Sequence, residues 1–192
     1  MKRIIAVMAL ALFVAGTAMA QQEELSFERK QAIDSLALEK VRDLSKYIKI
    51  VGSKSTALSE ANRVIDRAEE LFMSNAEIGV SSVASNKVKY YKVRPYLEHL
   101  MRLNYDRVEI EWYNIEYVSD LQRQPDGTYV GVITIFQTFR GYDKEGHLAY
   151  KDTTKKDITV YVKRKETQIG GRIIGFWDVL LGDMRVKETV NK

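Results

Sequence analysis

The sequence predicts an α+β fold in which three helices pack on a strongly curved antiparallel sheet. Three observations carry this. Apolar residues recur at three- and four-residue spacing from 26 to 72, the helical period. The period then changes to alternation, and from residue 107 four long alternating segments follow one another across compact turns. Within the first of these segments the alternation changes phase, which predicts a bulge and a sharp bend.

The first helix runs from Ser26. Ile33, Leu36, Ala37, Val41, Leu44, Tyr47, Ile48 and Val51 form its apolar stripe, and Gly52 ends it. Glu28 near its start and Lys49 near its end suit the helix dipole. In the second helix Ser59 is the expected cap, followed by the stripe Ala61, Val64, Ile65, Ala68, Leu71 and Phe72. Residues 76–83 and 88–93 read as a short hairpin around Ser85-Asn86-Lys87. Pro95 opens a third helix over 96–103, because proline is tolerated in a first turn. Residues 107–112 alternate strictly, after which Tyr113, Ile115 and Tyr117 carry the apolar set on the opposite parity, placing the bulge near Trp112-Tyr113. Pro125-Asp126-Gly127 turns into a strand over 128–139, Asp143-Lys144-Glu145-Gly146 into one over 148–163, and Gly170-Gly171 into one over 172–187.

The chain has 192 residues, 45% apolar and 29% charged, without cysteine. That suits one domain over 21–192. The lack of cysteine excludes a thiol nucleophile, a Cys-ligated metal and a lipoprotein anchor. Residues 1–20 have the form of a secretory signal peptide: Lys2 and Arg3, an apolar run over 4–16, and Ala18-Met19-Ala20 before polar Gln21. The run is short of the roughly 20 residues a membrane span needs, so no transmembrane anchor is expected. The expected mature protein starts at Gln21 and is periplasmic or secreted. Losing Lys2 and Arg3 leaves 28 basic residues against 26 acidic, which removes the case for nucleic acid.

The order helix, helix, hairpin, helix and four long strands resembles the NTF2-like, or cystatin-like, α+β cone, α-α-β-β-α-β-β-β-β. An open sandwich with a flatter sheet is the alternative. The stretch 90–186 is also similar to domains of exported Bacteroidota proteins, through Tyr105-Asp106-Arg107-Val108, Trp112-Tyr113-Asn114-Ile115, Pro125-Asp126-Gly127, residues 131–137 and Leu181-Gly182-Asp183. The NTF2-like resemblance implies a carboxylate with hydroxyl or imidazole donors in the mouth of the cone. It carries no particular residue over.

Asp178 is the first candidate for that carboxylate, because it interrupts the apolar run 173–181. Among large apolar groups it would serve as a base; facing outward, or paired with an Arg or Lys, it would not. Gln137 interrupts the apolar stretch 132–139, where it would either donate to a ligand or hold a backbone group. His99 lies beside the Tyr96, Leu100, Leu103 stripe, as a cavity donor or an exposed helix-edge residue. Tyr129 is one of several strand tyrosines suited to a ligand face or a half-buried strand. Neither Asp152-Thr153-Thr154 nor Lys155-Lys156-Asp157 has the spacing of a metal loop. No phosphate loop, dinucleotide fingerprint, nucleophile elbow or zinc-protease motif occurs, so neither metal nor cofactor is expected.

Two functional readings follow. The first is an exported, non-enzymatic binding or protein-interaction domain, with a small apolar ligand or an exported protein as partner. The alternative is an isomerase, dehydratase or hydrolase with a pocket in the mouth of the cone, using Asp178 with a tyrosine or His99. Convergence of at least two of Asp178, Gln137 and His99 on one cavity separates them. The last strand is apolar on both parities, and the less apolar one carries Ile174, Phe176 and Leu180 beside Asp178. That face is expected to form a homodimer by sheet packing.

Overall fold

A computed structural model describes residues 25–83 and 85–190; the expected leader over 1–20 and the start at Gln21 lie outside them. Helix α1 (Phe27–Gly52) begins where Ser26 accepts the Arg29 N–H at 3.3 Å. Of its expected stripe, Ile33, Ala37, Val41, Leu44, Ile48 and Val51 are buried, whereas Leu36 is exposed and Tyr47 half-buried. Helix α2 (Leu58–Glu69) starts from Ala57 rather than the expected Ser59, with no side-chain cap. Strands β1 (Glu77–Ser82) and β2 (Ser85–Lys92) form the short hairpin, and α3 (Val93–Met101) follows directly. Pro95 sits inside its first turn, so the helix begins earlier than expected. Strands β3 (Arg107–Arg123), β4 (Tyr129–Tyr142), β5 (Leu148–Ile169) and β6 (Arg172–Val190) form an antiparallel meander. This is the expected order of the NTF2-like cone.

One feature of the sheet corrects the expectation. Its six strands run in the order β2-β1-β6-β5-β4-β3, and β1 lies parallel to β6, so the sheet is mixed. The cause is the route out of α2. Met73 N–H donates to Leu181 O at 2.7 Å, and Leu181 N–H to Leu71 O at 2.8 Å. The chain is thus already aligned with β6 when β1 begins.

The bulge lies near Trp112-Tyr113 as expected: the β3–β4 register slips between Tyr113 and Glu116, and slips twice more before Gln122. Asn114 takes φ 48° there, a left-handed conformation that asparagine tolerates. Trp112 is half-buried, and Tyr113 is exposed and stacks on Phe136 with ring centres 5.6 Å apart. Repeated extra residues on one strand coil the sheet, and α1 packs against β3 and β6 within the curve, touching α2 and α3. Beyond the body, the β5–β6 hairpin continues as an arm whose residues 164–176 are all exposed, longer than the expected strand end at 163.

Candidate functional site

The concave face follows from strand parity. On β4 it carries Ile133, Ile135, Gln137, Phe139 and Gly141; their β5 partners are Ile158, Lys156, Thr154, Asp152 and Tyr150. On β3 it continues as Trp112 and Ile110, paired with Gln137 and Phe139. Toward Ile133 and Ile158 this face is dry, both side chains being fully buried in the core that includes the α1 stripe. Toward Phe139 and Asp152 it becomes the floor of a cavity of about 220 Å³, partly open to solvent.

Helix α3 roofs that cavity. Tyr96, His99, Leu100 and Leu103 fall at three- and four-residue spacing and line it together. Two anchors hold the roof: Lys54 Nζ donates to the carbonyls of Met101 and Leu103 at 3.0 and 2.5 Å. Arg94 bonds Glu69 and Asp66 on α2. Tyr105 lies directly over Gly141, where an added Cβ would stand 2.6 Å from its ring, so only glycine admits this contact.

The floor holds the chemistry. Asp152, Thr154 and Lys156 are spaced two residues apart on one strand face and are 5%, 2% and 2% exposed. The Tyr150 hydroxyl lies 2.7 Å from Asp152 Oδ2 and 3.0 Å from Ser82 Oγ, and accepts the Val83 N–H at 3.2 Å. Its single proton therefore serves the carboxylate, while the β1 end supplies donors to the phenol oxygen. Burial raises the Asp152 carboxyl above the usual carboxylate range, offset in part by the Tyr150 bond and the Lys156 charge. Burial brings Lys156 down from its ordinary 10.5 to about 8, against the opposing field of Asp152. Burial also raises the phenols of Tyr96 and Tyr150. Three kinds of titratable group with displaced equilibria thus share one cavity, a pattern associated with functional sites.

Of the residues singled out from sequence, Gln137 and His99 line this cavity and Asp178 and Tyr129 do not. Gln137 is buried, and its Oε1 accepts the Trp112 indole N–H at 3.1 Å. His99 is exposed at the rim, stacked 5.9 Å from Tyr91. Asp178 falls on the convex parity, where Lys165 Nζ approaches its Oδ2 at 2.6 Å; it is a cross-strand ion pair remote from the cavity rather than a carboxylate in an apolar enclosure. Tyr129 is buried at the other end of the cone, edge-on to Trp177. Sequence reasoning missed Asp152, Tyr150 and Lys156. The signal that would have found them is the alternation of Ile158, Val160 and Val162, carried back along the same strand.

No family model matches the chain, and no curated protein matches it. Two crystal structures are similar in fold. A protein described as a scytalone dehydratase, from Novosphingobium aromaticivorans DSM 12444, aligns with TM-score 0.44 and 11% identity over 86% of this chain and 91% of its own. A type 2 hexachlorocyclohexane dehydrochlorinase (LinA) aligns with TM-score 0.40 and 13% identity over 83% and 91%. Likenesses this loose say nothing of chemistry.

Proposed function

We propose that the chain is a small-molecule enzyme working by proton transfer, of the isomerase, dehydratase or hydrolase class, with the concave cavity as its active site. The observation that supports this reading is Asp152, a buried carboxyl with a raised pKa, held by Tyr150 at the end of a cavity whose apolar walls include Leu100, Leu103, Ile110 and Phe139. A carboxyl displaced toward neutrality is matched to accepting and returning a proton, and Tyr150 fixes which oxygen is presented. The apolar walls would hold the body of a substrate and keep water from the reacting atoms. Two of the three residues whose convergence separates this reading from a binding domain, Gln137 and His99, line the same cavity. We also propose export with maturation at Gln21, and a homodimer through the convex face, where Ile174 and Phe176 are exposed and Leu180 half-buried.

The test is proton exchange. Ring-sized ketones and β-hydroxy ketones that raise the melting midpoint are incubated with the protein in D₂O and followed by proton NMR. The expected result is accelerated loss of the α-proton signal, reduced at least about 100-fold in Asp152→Asn while the midpoint shift persists. Ligands that bind without any accelerated exchange would return the protein to the binding-domain reading.

A further inference from the structure

The floor of the cavity holds two buried donors for which the described residues provide no acceptor. Lys156 is 2% exposed, and among the described residues no hydrogen bond or ion pair reaches its ammonium; the Tyr96 ring lies with its centre 6.0 Å away. Gln137 is 7% exposed. Because the Trp112 indole can only donate, Oε1 must face it, and the amide N–H groups are left without a partner among the described residues. Buried donors without acceptors are costly, and an unpaired buried charge more so.

Asp152 eases the Lys156 charge only through its field and gives its ammonium no acceptor. It lies two same-face steps along β5, roughly 13 Å at the backbone, and its Oδ2 is already bonded to Tyr150. Gln137, in contrast, pairs with Thr154 and is the diagonal neighbour of Lys156, with side chains rooted about 7–8 Å apart. Two long side chains that far apart can both reach one oxygen or one pair of oxygens. Both offer only hydrogens, and together they carry one positive charge.

We infer that the cavity selects a ring-sized organic monoanion, its charged oxygen held jointly by the Lys156 ammonium and the Gln137 amide. Size agrees: about 150 Å³ of apolar cavity holds benzene, and this one has about 220 Å³. The ring would lie against Phe139, Leu100 and Leu103. Asp152 at the far end of the polar row repels a second negative charge, which fixes both the charge and the direction of the ligand. On the proposed reaction, this places the anionic oxygen at Lys156 and the carbon or oxygen that exchanges a proton toward Asp152. The inference rests on the cavity being a small-molecule site, and its test separates the two.

The probes are 4-nitrophenol, whose phenolate absorbs where the phenol does not, 4-nitrobenzoate, and neutral 4-nitrobenzyl alcohol. With the full chain at pH 6, bound 4-nitrophenol is expected to show the phenolate band, its ionisation drawn down by about one pH unit, a tenfold preference for the anion. The stronger of the two anions tells whether the natural oxygen belongs to a phenol or enol or to a carboxylic acid. Lys156→Met is expected to weaken both anions at least about tenfold and leave the alcohol unchanged; Lys156→Gln serves if the first variant fails to fold. Equal binding of alcohol and anions to the wild type, or anion binding that survives both variants, would overturn the anion inference and leave the small-molecule site standing. If none of the three probes binds or shifts the melting midpoint, the site itself falls, and the inference with it.

Discussion

Strands β4 and β5 run the length of the cone, and their concave faces have opposite characters at the two ends. One end pairs Ile133 with Ile158 and Gly131 with Val160, and every aliphatic side chain there is fully buried in the core that includes the α1 stripe. The other pairs Gln137 with Thr154 and Phe139 with Asp152, beneath α3, where Gln137, Thr154 and Asp152 are buried too and Phe139 is half-buried. The change occurs at a single step, where Ile135 faces Lys156. Burial alone therefore does not mean equal purpose. Aliphatic groups at the dry end gain from leaving water, whereas the groups at the polar end lose solvation that protein partners only partly replace. On the proposed function, a bound ligand supplies the missing partners.

The comparison predicts opposite signs for truncation at the two ends. Ile158→Ala should destabilise by about 2–5 kcal/mol, the range for emptying a packed aliphatic site, read as the denaturant midpoint. A cost near zero would mean that the dry end is not the core. Lys156→Met should stabilise the ligand-free protein at pH 7. The Lys156 pKa in the folded chain lies near 8 against 10.5 when exposed, so folding disfavours its charged form by about 3 kcal/mol below pH 8. Between pH 8 and 10.5 the unfolded chain binds the extra proton, and stability should rise with pH in the wild type relative to Lys156→Met. A variant less stable than wild type at pH 7, with no difference in slope, would show that Lys156 has a partner and belongs to a satisfied core.

Gln137 sharpens the boundary by a smaller amount. Gln137→Leu keeps the volume but leaves the Trp112 indole N–H without its acceptor, and should cost about 1–3 kcal/mol. Gln137→Glu retains an acceptor for Trp112 and should lose less on that account, while setting a carboxylate beside Lys156 and abolishing binding of 4-nitrophenolate. If Gln137→Leu melts with the wild type, the Trp112 bond does not orient the amide.

The sequence revealed the elements better than the site, and Lys156 shows why. The alternation that marks Ile158, Val160 and Val162 as inward-facing extends back through Lys156, Thr154 and Asp152, all of the same parity. Hydrophobic periodicity is read from contrast, however, and lysine and aspartate on a strand read as solvent-facing even where the backbone turns them inward. Gln137 was visible because apolar residues flank it on its own parity as well as the other. Asp178 looked the same locally, since Ile174, Phe176 and Leu180 share its parity. Which parity of β6 faces the helices depends on pairing with β5 and on the register shift between Ile158 and Val160, a tertiary fact. The helices need no such information: three- and four-residue spacing marks every buried residue of α1 before Gly52, and also Leu36 and Tyr47 at the edge of the stripe. The parallel placement of β1 rests on the bonds of Leu71 and Met73 to Leu181, which no local pattern announces.

The smallest effect belongs to Ser82, at the edge where the β1 end meets the polar floor. Its Oγ lies 3.0 Å from the Tyr150 hydroxyl, which already gives its proton to Asp152 and receives the Val83 N–H. As a donor, Ser82 lowers the Tyr150 pKa, acting against burial and Asp152. Ser82→Ala removes one of several bonds at a half-buried oxygen, so the stability cost should be about 1 kcal/mol or less. The Tyr150 ionisation, followed by ultraviolet absorbance against a Tyr150→Phe blank, should move further up. The Asp152 bond stays, so proton exchange should fall far less than in Asp152→Asn. Tyr150→Phe instead takes the donor from Asp152 and raises its pKa further, because the phenol holds the carboxyl down; the acid limb of the pH profile should move up with it. If Ser82→Ala impairs exchange as severely as Tyr150→Phe, the β1 contact, rather than the carboxylate–phenol pair, holds the polar end in its working form.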